Sequence, residues 1–167
     1  MLKSKWLILL ALALFIWTGE VFSATEVEET GNLAGEFELE NLEGKTHQLA
    51  DYLEHGSVVL WFTNLCGGCQ RALPEIKEVF KDAQSPLLIV SLLGDNQETP
   101  EQVRESYELT FPILLDTEGV ACKQYSGNYI PNTCPVENLF LIDAERTILF
   151  RGHYPGLGKS ELEKLFR

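Results

Sequence analysis

Basic residues are scarce in this chain: 13 Lys and Arg stand against 25 Asp and Glu in 167 residues, a formal net charge of −12. That balance argues against nucleic acid or an anionic membrane surface as partner, because both call for a basic face. Histidine is scarce too, with three in all and none paired with another at metal-ligand spacing. Zinc sites usually draw on two CxxC pairs, or on one CxxC with a His pair, and neither set is present. The longest unbroken apolar run, Trp6 to Trp17, has 12 residues, short of the roughly 20 that span a bilayer. Internal repeats and low-complexity tracts are missing as well, which leaves one ordinary domain.

That short apolar run has the layout of a secretory signal. Lys3 and Lys5 precede it, and the small residues Ser23 and Ala24 follow. Cleavage there removes residues 1–23 and leaves enough chain for a real core. The alternative is an uncleaved anchor through residues 6–17, with the same domain on the outer face of the cytoplasmic membrane. Residues 24–35, with Glu26, Glu28 and Glu29, read as an acidic flexible leader, and 36–167 as the folded domain. The acidic balance of that domain serves solubility.

Strands and helices then follow in order. Residues 37–40 and 46–49 flank Asn41-Leu-Glu-Gly44 and read as a hairpin. Val58–Thr63 is an apolar strand, and Leu73, Ile76, Val79 and Phe80 fall at helical spacing after it, with Pro74 inside that helix. A second buried strand spans residues 87–93. Thr99, Pro100 and Gln102 form a helix start, and that helix runs to about Leu109. Residues 111–115 form a short strand, and a short helix carries Val120, Ala121 and Cys122. The irregular stretch 126–135 follows. Residues 139–142 and 147–150 pair as a hairpin, and a last helix starts at Ser160 with Glu163 closing its capping box. This order predicts an α/β fold with a mixed central sheet, helices on both faces and an N-terminal β-hairpin.

The chemistry centres on Cys66-Gly67-Gly68-Cys69. The motif sits where the apolar strand gives way to a helix, so Cys66 meets the open backbone N–H groups and the positive dipole end, which favour a thiolate. Two thiols three positions apart close a small reversible disulfide, and the chain reads as a thiol–disulfide redox protein. Cys66 attacks a substrate disulfide, and Cys69 resolves the mixed disulfide. Arg71 is near enough to hold a thiolate. Glu75 and Glu137 are the candidate proton acceptors for Cys69, while His47, His55 and His153 read as loop or surface residues. Cys122 and Cys134 admit three readings: a structural disulfide, which is the commonest fate of leftover cysteines in an exported protein, a relay through Cys134 to the CxxC, or free thiols.

The stretch Leu39 to Cys69, with Gly44-Lys45 in the hairpin and Leu60-Trp61-Phe62-Thr63-Asn64-Leu65 running into the two cysteines, resembles the exported thioredoxin-like proteins of the TlpA/ResA type, within the redoxin (AhpC/TSA) superfamily. Pro74, Leu139–Asp143 and the closing 160–166 helix also match. The resemblance implies a thioredoxin fold and disulfide exchange with partner-protein thiols; from the ligand spacing above, no cofactor or metal is expected. It also implies a substrate-holding cis-proline ahead of a late strand. Pro135 is the favoured position over Pro131, and Cys134 before it then faces the active site. Two other activities compete. Thr63-x-x-Cys66 echoes the peroxidatic loop of peroxiredoxins, and a copper-binding protein of the Sco type uses CxxxC with a downstream His where this chain has Glu137.

Overall fold

The computed structural model describes residues 30–92 and 98–166. The export signal expected over residues 1–23 and the start of the leader lie outside them. Seven strands form one sheet: β1 (Glu38–Asn41), β2 (Thr46–Gln48), β3 (Val58–Thr63), β4 (Leu87–Ser91), β5 (Ile113–Leu115), β6 (Leu139–Ile142) and β7 (Ile148–Gly152). The helices are α1 (Leu49–Leu53), α2 (Gly67–Phe80), α3 (Pro100–Ser106), α4 (Val120–Ser126) and α5 (Lys159–Phe166). The sheet order is β2-β1-β5-β4-β3-β6-β7. Strands β3, β4 and β5 run parallel, while the β1–β2 and β6–β7 hairpins flank them antiparallel. This is the mixed sheet that the order of elements predicts.

The centre of the sheet explains its continuous apolar strands. A strand points successive side chains to opposite faces, so one covered by helices on both sides must be apolar at every position. In β3, Val58, Leu60 and Phe62 pack with Leu49 and Leu53 of α1 and Ala121 and Tyr125 of α4. Val59 and Trp61 face the other way, against Leu73, Ile76 and Val79 of α2, Val103 of α3 and Leu162 and Phe166 of α5. Each of these side chains removes apolar area from water, and full burial of one is worth roughly 1.5–3 kcal/mol.

Local signals mostly hold. The α3 capping box forms as expected, with the Thr99 hydroxyl accepting from the Gln102 N–H and the Gln102 side chain accepting from the Thr99 N–H. The α5 start differs: the Glu161 carboxylate accepts from the Gly158 N–H, two residues ahead of the expected box. Helix α1 has no counterpart in the sequence reading. The flexible leader also ends sooner than expected. Gly31 and Ala34 donate to the Ile148 and Arg146 carbonyls, the Ile148 N–H donates to Asn32, and Ala34 is fully buried. Strand β7 is the sheet edge, and its open backbone groups take up this segment. Among the described residues, no helix is long and apolar enough to cross a membrane.

Candidate active site

Strand β3 ends at the buried Thr63, the buried Asn64 follows it, and these two polar residues shape the turn into α2. The Thr63 hydroxyl accepts from the Leu65 N–H at 3.0 Å, and Asn64 Oδ1 accepts from the Cys66 N–H at 3.1 Å. Leu65 sits at φ 53, in the left-handed region that a branched side chain seldom adopts. It stays there because its side chain is buried in the α2-side core and both neighbouring turns are hydrogen-bonded. The result places Cys66 at the N-cap of α2, as expected.

Cys66 is half-buried and Cys69, one turn into the helix, is buried. Their sulfurs lie 3.7 Å apart, so the pair closes to a disulfide with little movement. The Arg71 guanidinium lies over the two intervening glycines: a Cβ built at Gly67 would sit 3.7 Å from Nη1, and one at Gly68 3.9 Å from Nη2.

A third cysteine joins the site. Cys134 Sγ lies 3.3 Å from Cys69 Sγ, accepts from the Asn64 N–H at 3.3 Å and donates to Asn64 Oδ1 at 2.8 Å. The Asn64 amide also donates to the Asn132 carbonyl at 3.0 Å, which ties the Cys134 loop to the CxxC turn. The two touching thiols move in opposite directions. Cys69 is pushed up, first by its hydrogen bond to Cys134 and then by burial. Cys134 is brought down to about 6, chiefly because Cys69 donates to it, with the Asn64 N–H and the Thr63 hydroxyl adding to the effect. Of the two touching thiols, Cys134 is therefore the more acidic and loses its proton ahead of Cys69.

Several expectations are corrected here. All four cysteines are free, and the Cys122–Cys134 crosslink is not formed. Cys122 instead is buried on α4 itself, its S–H aimed at the Asn128 carbonyl at 3.5 Å and its thiol pushed up to about 12 by burial. Neither Pro135 nor Pro131 follows a cis bond; among the described residues the cis peptide is Tyr154–Pro155. Cys134 faces the active site without it, carried there by the pairing of β6 with β3. Glu137 pairs with Arg151 and supplies neither a proton acceptor for Cys69 nor a metal ligand beside the CxxC. Thr63 points its hydroxyl at Leu65 and Cys134, not at Cys66, so the peroxidatic arrangement does not form. His47 lies in β2, within the expected hairpin, half-buried with its ring stacked on Tyr52. The sequence reading missed Asn64. Its signal is a polar residue directly after an otherwise apolar strand.

The AhpC/TSA family model matches residues 30–151. The chain belongs to the AhpC/TSA family. The thiol-disulfide oxidoreductase ResA of Geobacillus kaustophilus is 30% identical over 139 residues, covering 81% of this chain and 75% of that protein. The thioredoxin-like protein YneN of Bacillus subtilis is 28% identical over 174 residues, covering 98% and 97%. Among solved structures, the thioredoxin domain of a thiol-disulfide oxidoreductase from Bacteroides vulgatus superposes with a TM-score of 0.61 at 20% identity, covering 82% of this chain and 94% of that one, and so shares the thioredoxin-like fold. With these relatives the family member is an oxidoreductase, and the resemblance to the ResA type stands.

Proposed function

We propose that this protein exchanges disulfides with partner proteins outside the cytoplasm, through Cys66 as nucleophile and Cys69 as resolving thiol. One observation carries the reading: a half-exposed sulfur at a helix N-cap lies 3.7 Å from a buried one. The Cys66 thiolate attacks a substrate disulfide and releases one substrate thiolate. Cys69 then attacks the Cys66 sulfur of the mixed disulfide, the second substrate thiolate leaves, and a 66–69 disulfide remains. The proton of Cys69 passes to the Cys134 sulfur it already touches, so Cys134 is the base that the sequence alone did not provide. The extracytoplasmic setting rests on the signal-like layout of residues 1–23.

Reduced protein mixed with insulin tests this. The expected outcome is insulin reduction coupled to a 66–69 disulfide, a trapped mixed disulfide at Cys66 in Cys69→Ser, and no exchange in Cys66→Ser. Wild-type activity in a variant lacking both cysteines overturns the reading. Peroxide consumption that outpaces disulfide exchange points instead to a thiol peroxidase.

A further inference from the structure

Three sulfurs meet at the start of α2. The sides of the triangle are 3.7 Å from Cys66 to Cys69 and 3.3 Å from Cys69 to Cys134, and all three lie within 4.8 Å of one another. Those sides hold the angle at Cys69 to no more than a right angle. A thiolate that breaks a disulfide approaches in line with the bond it cleaves. The triangle therefore suits a relay from Cys134 through Cys69 to Cys66 poorly. It suits a single ion well: thiolate bonds of about 2.3 Å arranged around one centre space three sulfurs roughly 4 Å apart.

We propose that the reduced protein binds one Cu(I) ion through the Sγ atoms of Cys66, Cys69 and Cys134. The donor set is all soft thiolate, the chemistry that favours Cu(I) over hard cations. Zn²⁺ is the nearest competitor and wants a fourth ligand in a closed site; among the described residues no His, Asp or Glu completes the cluster. The surroundings suit bound thiolates. The Asn64 N–H already points at Cys134 Sγ, and the Thr63 hydroxyl lies 3.9 Å from the same atom. Cys66 and Cys134 are half-buried while Cys69 lies beneath them, so an ion enters from the solvent side. This is not the Sco-type ligand set, since no His takes part. Each thiol gives up its proton on ligation, the copper stays Cu(I), and no electrons move. The 66–69 disulfide and the ion exclude each other, because both need the same two sulfurs. The inference rests on the sulfur triangle and stands whether or not the protein exchanges disulfides with partners.

The test is an anaerobic titration of the full chain with Cu(I) against a chromophoric Cu(I) chelator. Fully reduced protein should take up one equivalent, and protein carrying the 66–69 disulfide none. Cys134→Ser should weaken uptake at least about tenfold, while Cys122→Ser, outside the cluster, should leave it unchanged. Equal uptake by oxidised and reduced protein overturns the site. So does a Cys134→Ser affinity within about twofold of wild type, or displacement of the copper by equimolar Zn²⁺. Should Cys134→Ser fail to fold, the wild-type comparison of reduced with oxidised protein decides alone.

Discussion

Truncating Asn64 to alanine is the most informative single change outside the cysteines. Its side chain, 5% exposed, accepts from the Cys66 N–H, accepts from the Cys134 thiol and donates to the Asn132 carbonyl. Alanine leaves the Cys66 N–H and the Asn132 carbonyl without that partner. A buried polar group left unsatisfied costs about 1–3 kcal/mol, and the Cys66 N–H, at a half-exposed helix start, falls at the low end, while the carbonyl of the exposed Asn132 turns to water and loses little. The sum is about 1–2 kcal/mol. At about 4 °C per kcal/mol for a domain of this size, the melting temperature should drop by roughly 4–8 °C. The Cys134 loop should also loosen from the CxxC turn, so Cys134 alkylation in the reduced, metal-free variant should speed up relative to wild type. Thermal melting and iodoacetamide labelling read the two effects separately. A variant that melts within about 2 °C of wild type and labels at the wild-type rate refutes the role given to Asn64.

Three further outcomes follow from single contacts. In reduced, metal-free protein the ultraviolet thiolate absorbance should rise as pH climbs through about 6, because Cys69, Asn64 and Thr63 donate to Cys134 and hold its thiol below the ordinary range; Cys134→Ser should remove the step, and a first step only above about pH 8 would contradict the assignment. Gly119→Ala should cost about 2–4 kcal/mol by denaturant midpoint, since Gly119 sits at φ +67 and the added Cβ would lie 2.0 Å from the Tyr129 ring. Tyr154→Phe should cost about 1 kcal/mol, having lost the 2.9 Å bond from its hydroxyl to the Ala72 carbonyl on α2, while insulin reduction stays at the wild-type rate.

What the sequence made legible, and what it did not, divides by range. Strands β3 and β4 announce themselves because both faces are covered, which demands apolar residues in an unbroken run. Helix α3 announces itself through a capping box that needs only four consecutive residues. Helix α1 is five residues long, too short for a helical period to show, and its box is built from Gln48 and Asp51 instead of the usual Ser or Thr. Cys134 was the hard case. Composition and spacing leave it open between a crosslink to Cys122, a place at the active site and a free thiol, and the proline argument for the second rests on an isomer that neither Pro135 nor Pro131 adopts. The deciding quantity is strand register, which a single sequence does not display. Strand β6 pairs antiparallel with β3, Trp61 opposite Leu139, and the Phe62 N–H continues the ladder to the Asn138 carbonyl. Followed past both strand ends, that register brings residue 134 level with residue 66. The third sulfur reaches the CxxC because two strands separated by most of the domain align at one residue pair, and a slip of that pairing by a single position would turn Cys134 to the other face of the sheet.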